Sequence, residues 1–142
     1  MRPIEFRGKR IDSGEWVYGG FHEHVVRQVC PIGDSLKKED IKHLIIQSGF
    51  ADWNMTKPLQ AIEIIPETVG QYTGLKDKNG VEIYEGDILN IYQYGHVVAE
   101  FAEGCYGAWG HYGFSPFRGT LFGCGGEIIG NIYDNPELLE ER

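Results

Sequence analysis

The sequence has few of the features that identify secreted, membrane or disulfide-rich proteins. Its 142 residues include three cysteines, Cys30, Cys105 and Cys124, and no CxxC pair. An odd count without paired spacing argues against a disulfide framework and favours a reducing compartment. No apolar run approaches the ~20 residues of a membrane helix, and the start, MRPIEFRGKR, lacks the apolar centre of a signal peptide. We therefore expect a soluble, cytoplasmic protein that has no membrane partner.

Positive charge is scarce in the second half of the chain. Lys plus Arg equal Asp plus Glu, at nine each, over residues 1–65. Residues 66–142 hold four basic and twelve acidic residues, so the whole net charge of −8 lies there. Nucleic-acid affinity rests mainly on Lys and Arg that displace counterions from phosphates. The imbalance therefore argues against nucleic acid as a partner of the C-terminal half.

Glycine and aromatic residues are abundant, at 20 glycines and 13% aromatic, and this composition favours strands and tight turns. A hairpin is predicted around Asp12-Ser13-Gly14, with a third strand, or a continuation of the second, reaching Ile32. After a polar stretch that allows a short helical turn, strands are predicted over residues 41–47 and 59–65, separated by a polar loop that holds Trp53. Pro66 marks the predicted boundary between a β-rich unit (1–65) and a second unit (66–142).

The second unit is built around residues 69–89. Asn79-Gly80 predicts a hairpin turn because both residues accept positive φ, and Glu85-Gly86-Asp87 predicts a corner. Strands follow over 88–94, 96–101 and 127–133, with a glycine-rich segment from 104 to 126 between them. Asp134-Asn135-Pro136 predicts the start of a C-terminal helix over 137–142. The fold class expected is mainly β with minor α, including a small, partly closed barrel.

Three blocks resemble the YopX-type family of phage and prophage proteins: FRGKRIDSGEWVYG, VGQYTGLKDKNGVEIYEGDIL and EIIGNIYDNPELL. They cover about 50 of the 142 residues. The resemblance implies a phage or prophage origin, the cytoplasm of a bacterial host, and an SH3-like barrel in the C-terminal half. It implies no activity and no catalytic residues, because the family has no assigned biochemical function.

Four groups of residues could carry chemistry, and for each we favour a structural explanation. They are His22 and His24 as metal ligands with Glu23 or Cys30, Cys105 with His111 and Cys124 as nucleophile and base, Asp77 with Asn79 and Glu82 as a calcium loop, and Glu85 with Asp87 as an acid–base pair. The ligand pairs, the twelve-residue calcium spacing and the orienting third group that such sites need are missing. We predict no enzyme, no metal site and no cofactor.

The segment from Gly104 to Gly123 is the predicted binding surface, through Tyr106, Trp109, Tyr112 and Phe114. If these rings are exposed, they form a contact or stacking surface, and otherwise they fill the barrel. The predicted function is a non-enzymatic phage accessory protein that acts through protein contacts, as a homo-oligomer and with an unknown phage or host protein. The alternative is single-stranded nucleic-acid binding, aided by basic residues near the N-terminus.

Overall fold

The computed structural model describes residues 3–30, 32–91, 95–102, 105–110, 113–116 and 126–140. These residues form a mainly β protein, as predicted. The strands are β1 (Phe6–Lys9), β2 (Trp16–Val25), β3 (Ile41–Ser48), β4 (Leu59–Glu63), β5 (Gly70–Lys76), β6 (Glu82–Tyr84), β7 (Asp87–Ile91), β8 (Gly95–Ala102), β9 (Cys105–Gly110), β10 (Gly113–Pro116) and β11 (Glu127–Asn131). Helical structure in these ranges is limited to short 3-10 turns at Lys38–Asp40, Pro66–Thr68 and Pro136–Leu139. None of the described helical turns has the length or apolar character to cross a membrane.

The chain divides into two compact units. The N-terminal unit comprises Glu5–Val69, and the C-terminal unit comprises Gly70–Arg142 together with Met1–Ile4.

Four antiparallel strands form the sheet of the N-terminal unit, in the order β4-β3-β2-β1. β2 runs through Gly19-Gly20 without a break and pairs first with β1 and then with β3. The continuation of the second strand, one of the two predicted alternatives, is therefore the one observed. At Gly19 the backbone of β2 passes so close to β3 that a Cβ would collide with the carbonyl oxygen of Ile46. Glycine, which has no Cβ, allows this close approach.

One face of this sheet carries the core of the unit. Alternate residues of a strand point to the same face, and the buried residues follow that alternation. They are Val17, Ile45, Ile62 and Ile64, with Phe6, Phe21 and Val69 packed against them. Removing this apolar surface from water contributes about 25 cal/mol per Å².

The carboxyl end of β4 bends toward the end of β1. Arg10 and Ile64 form a single bridge there. The Ile65 N–H donates to the Lys9 carbonyl (2.8 Å), and the Ile11 N–H donates to the Glu63 carbonyl (3.2 Å). These contacts fix one end of β4 and leave its amino end, at Leu59, beside the preceding loop.

The C-terminal unit contains the β5–β6 hairpin and a five-stranded antiparallel sheet in the order β10-β9-β8-β7-β11. Its core is formed by Ile83, Leu89, Ile91, Val97, Ala99 and Ala108, with Leu75 and Ile128 packed against it. In the part of the chain that the structure describes, this sheet is open, with β10 and β11 as its edges. The predicted closure into an SH3-like barrel is not confirmed.

The predicted C-terminal helix is also not confirmed. Residues 136–139 form one 3-10 turn, and residues 141 and 142 lie outside the described ranges. The turn begins with proline, as predicted, because proline has no N–H and its fixed φ suits this position. His96 Nδ1 lies 2.7 Å from the Leu138 carbonyl oxygen, so this nitrogen must carry the proton that bonds the turn to β8.

Candidate functional site

The predicted aromatic surface lies on β9 and β10, and the structure describes it in part. Tyr106 is half-buried, and its ring meets the ring of Phe101 edge-on at 5.0 Å. Its hydroxyl hydrogen-bonds to Glu85. The pKa of Glu85 is raised by burial and by the nearby charge of Glu100, against the opposing hydrogen bonds from Tyr106 and the Gln71 N–H. Tyr106 therefore takes part in contacts within its own unit.

The other three predicted residues are only partly placed. Trp109 lies opposite Val98 in the β8–β9 pair and opposite Phe114 in the β9–β10 pair. Tyr112 lies outside the described residues, as do His111 and Cys124 of the predicted cysteine–histidine group. Binding by this segment stays a prediction.

Asp77, the centre of the predicted calcium loop, is a buried structural carboxylate. Its Oδ1 accepts the N–H groups of Asn79 (2.8 Å) and Val81 (2.9 Å), and its Oδ2 accepts the N–H of Ile128 (3.1 Å). Burial pushes its pKa up, but these three donors outweigh burial and hold the pKa below its ordinary value. Both oxygens thus fasten the hairpin turn to the start of β11.

Glu85 and Asp87, the predicted acid–base pair, flank a corner that Gly86 makes possible. Gly86 has a φ of +88°, a backbone conformation that residues with a Cβ rarely adopt. Its N–H donates to the Ala99 carbonyl (2.8 Å). Buried Asp87 accepts the Tyr84 N–H at 2.8 Å. These bonds support the structural explanation of the block.

The predicted histidine pair lies on the outer part of β2. The rings of His22 and His24 are 6.2 Å apart, and both residues are exposed. Glu23 instead approaches His43 on β3, at 3.3 Å between Oε1 and Nε2. Within the described ranges, no group of three His, Cys, Asp or Glu side chains is placed to hold a metal ion.

A group of strongly exposed apolar side chains lies in the β3–β4 connection. We call residues 49–58 the apolar loop. Trp53 is 94% exposed and Phe50 is 88% exposed, and Met55 and Leu59, the first residue of β4, are also mainly in water. Single exposed apolar residues are normal, but four within ten positions form a patch of the kind that marks interaction sites.

The backbone of the apolar loop has a defined shape. The Gly49 N–H donates to the Pro58 carbonyl at 2.7 Å and closes the loop at its base. A Cβ on Gly49 would lie 3.1 Å from the Pro58 ring, so glycine suits this close approach. At the tip, the Met55 N–H donates to the Asp52 carbonyl (3.2 Å), and Asn54 adopts a φ of +70°. Asparagine tolerates this left-handed conformation better than most residues.

The loop was not predicted as a site. Its polar residues indicated a surface loop, and Trp53 was noted only as one large aromatic within it. The signal in the sequence is the run GFADWNM, in which three large apolar residues alternate with small and polar ones. A surface turn needs none of them for folding.

Comparison with protein families gives a match over nearly the whole chain. The YopX protein family matches residues 5–140. This chain belongs to the YopX protein family. The predicted resemblance is thus confirmed over nearly the full length of the chain.

A solved structure matches the chain over nearly its full length. The crystal structure of protein EF1440 from Enterococcus faecalis matches this YopX family member with a TM-score of 0.53 and 25% sequence identity. The match covers 98% of this chain and 99% of that one. Comparison with curated proteins gives no match.

Proposed function

We propose that this YopX family member is a phage or prophage accessory protein without catalytic activity that acts in the host cytoplasm through protein contacts. The observation that carries the proposal is the apolar loop, where Phe50 and Trp53 are almost fully exposed. Tryptophan and other aromatics dominate the binding energy of protein interfaces because they remove large apolar areas from water. The titratable groups at the corner and hairpin turn, by contrast, already bond backbone groups.

The charge of the loop supports a protein partner. The loop has two charged residues, Asp52 and Lys57, and their charges cancel. Binding to phosphates or to an anionic membrane surface gains most of its free energy from Lys and Arg. A neutral, aromatic loop suits an apolar protein surface better.

A photo-crosslinking amino acid at position 53, in bacterial cells that carry the parent phage, tests the proposal. We expect protein adducts at position 53 that are absent when the probe replaces Val81. Val81 is a matched control because it is apolar and about half-exposed, and it lies outside the loop. The same adducts at both positions, or none at position 53, would contradict a role for the loop.

The second candidate, single-stranded nucleic-acid binding, rests on four basic residues near the N-terminus: Arg2, which lies outside the described residues, and Arg7, Lys9 and Arg10. The Arg7 guanidinium lies 4.5 Å and the Lys9 Nζ 5.5 Å from the Trp16 ring centroid. However, Arg7 is buried. Arg10 donates from Nε and Nη2 to the two oxygens of Asp12, each at 2.8 Å, and lowers the pKa of Asp12 to about 2. Two of the three described cations are therefore committed within the chain.

A labelled single-stranded oligonucleotide separates the two candidates. A mobility shift at low salt that weakens steeply with added salt would support nucleic-acid binding. No shift at low salt would exclude it.

We also propose an SH3-like arrangement of the C-terminal unit, which the antiparallel order of β7 to β10 supports. An experimental structure that includes residues 117–125 would test whether the sheet closes into a barrel.

A further inference from the structure

β4 has an outer edge whose backbone direction can be assigned. In an antiparallel strand, the N–H and C=O of one residue point to the same side, and the side alternates from residue to residue. The Pro58 carbonyl and the Ile64 N–H both bond to the β3 side, at Gly49 and His43. The even positions of β4 therefore point to β3. The N–H and C=O of Leu59 and Ala61 point outward.

Those outward groups face water. Leu59, Gln60 and Ala61 are all exposed, and no described residue bonds the outward groups of Leu59 or Ala61. The next outward carbonyl, that of Glu63, accepts the Ile11 N–H. The edge available for pairing is therefore the amino end of β4, next to the apolar loop.

This edge has little of the protection that sheet edges normally carry. Lysine, proline and bulges usually discourage an edge strand from pairing with another chain. The strand reads LQAIE and has none of these between Leu59 and Ile62. Pro58 does not block the edge either, because its backbone points to β3.

From the outward groups of this edge we propose that the chain forms a two-fold dimer in which β4 pairs antiparallel with β4 of a second copy, centred on Gln60. The proposal deepens the proposed function, since it names a second copy of this chain as one partner of the apolar-loop surface. In this register Leu59 of each copy lies opposite Ala61 of the other. Their two N–H and two C=O groups per chain then form four backbone hydrogen bonds across the axis.

The pairing is limited to the amino end of β4. The outward side of β4 at Glu63 is already occupied, because the Ile11 N–H donates to the Glu63 carbonyl and Arg10 bridges Ile64. A centre at Gln60 pairs the outward groups of Leu59 and Ala61 with one another and needs no backbone group beyond Ala61.

The area also fits a dimer. A Trp or Phe side chain removes about 150–250 Å² from water when it is fully buried. With Met55 and Leu59, each loop supplies several hundred Å², against about 800 Å² per partner in a standard interface. The two-fold axis places each loop beside the carboxyl end of the other β4.

Disulfide trapping tests the register in the full chain, with Cys30, Cys105 and Cys124 replaced by serine. Gln60→Cys places two thiols directly opposite each other in a non-hydrogen-bonded pair, where Cα atoms are about 4.5 Å apart and a disulfide can form. Ala61→Cys is the matched control, because the two copies of residue 61 are diagonal neighbours about 7–8 Å apart. We expect oxidation to cross-link Gln60→Cys and to leave Ala61→Cys mainly uncrosslinked. Cross-linking of Ala61→Cys alone would overturn the register.

A proline at position 61 tests the same contact without cysteines. Ala61→Pro should weaken the dimer about tenfold, because proline lacks the N–H that Ala61 donates across the axis once in each copy. That N–H points away from β3, so the pairing of β4 with β3 is kept. The measurement is light scattering after size-exclusion chromatography over a range of protein concentrations. A dimer of unchanged strength in this variant would overturn the pairing.

The outcomes also separate this dimer from the proposed function. A wild-type monomer at all concentrations up to about 200 μM, well above the micromolar range of a standard interface, overturns the dimer. Specific adducts at position 53 with another protein would still support the proposed function in that case. A dimer with the expected cross-link and no foreign adduct would support the dimer and contradict a foreign protein partner.

Discussion

Two turns of this protein connect antiparallel strands and use their polar residues in opposite ways. The turn at Lys76–Gly80 has a buried carboxylate, Asp77, whose oxygens accept three backbone N–H groups. The apolar loop has an exposed Asp52 and sends Phe50 and Trp53 into water. The first turn contributes to the stability of its unit. The second contributes little to folding and is available for contacts.

The most recognisable block of the sequence, residues 69–89, is therefore a scaffold. The Asn-Gly turn and the Glu-Gly-Asp corner are recognisable because backbone geometry limits which residues can occupy them. In the contact surface that we propose, backbone geometry does not restrict the residue types in this way. The surface is defined by the exposure of its side chains in the folded chain rather than by a sequence motif.

The largest expected effect contrasts two leucines. Leu89→Ala should lower the free energy of unfolding by about 2–5 kcal/mol, because Leu89 is fully buried and its loss leaves a cavity. Leu59→Ala should change it by less than about 0.5 kcal/mol, because Leu59 lies mainly in water. Urea denaturation measures both. Equal losses would show that β4 packs more tightly than the structure indicates.

The next contrast concerns the two turn aspartates. Asp77→Ala should lower the free energy of unfolding by about 2–3 kcal/mol, because it removes the buried acceptor of three partly buried N–H···O hydrogen bonds. Asp52→Ala is the control and should have little effect, since Asp52 is exposed. A loss below about 1 kcal/mol for Asp77→Ala, the lower end for an unsatisfied buried group, would contradict the scaffold role of this turn.

The pH dependence of stability follows from the same carboxylate. The pKa of Asp77 is lower in the folded state than the ordinary value of about 4, so its contribution is complete above that value. It is lost as the pH falls below about 4 and through the folded pKa. The difference in stability between wild type and Asp77→Asn should therefore shrink on acidification. A difference that stays constant from neutral pH to pH ~3 would assign the effect to something other than ionisation.

The smallest expected effect distinguishes two tryptophans. Trp53→Ser should change the free energy of unfolding by less than about 0.5 kcal/mol, as is usual for surface positions. Trp16→Ser should cost more, because the Trp16 ring is half-buried and lies beneath the Arg7 guanidinium. Thermal unfolding followed by circular dichroism compares them. A larger loss for Trp53→Ser would mean that the apolar loop is packed.

Local sequence patterns predicted much of the fold and little of the candidate site. The hairpin at Asn79-Gly80, the corner at Gly86 and the strands that flank them were predicted because turn chemistry is local. The barrel closure and the C-terminal helix are not confirmed within the described residues, where β10 and β11 are the edges of the sheet and residues 136–139 form one 3-10 turn. Closure depends on contacts between distant strands, which local patterns do not specify. The apolar loop was missed because exposure is a property of the folded chain, and Trp53 has the same composition signal whether it is buried or in water.

Amide hydrogen exchange at single-residue resolution, at two protein concentrations, tests the central claim that the apolar loop and the edge of β4 form the contact surface. We predict that the Leu59 and Ala61 amides exchange fast in dilute solution and slowly in concentrated solution, because their N–H groups point away from β3. The Gln60 and Ile62 amides, which point to β3, should be protected at both concentrations. Fast exchange of Leu59 and Ala61 at both concentrations, or equal protection of all four amides in dilute solution, would contradict the account.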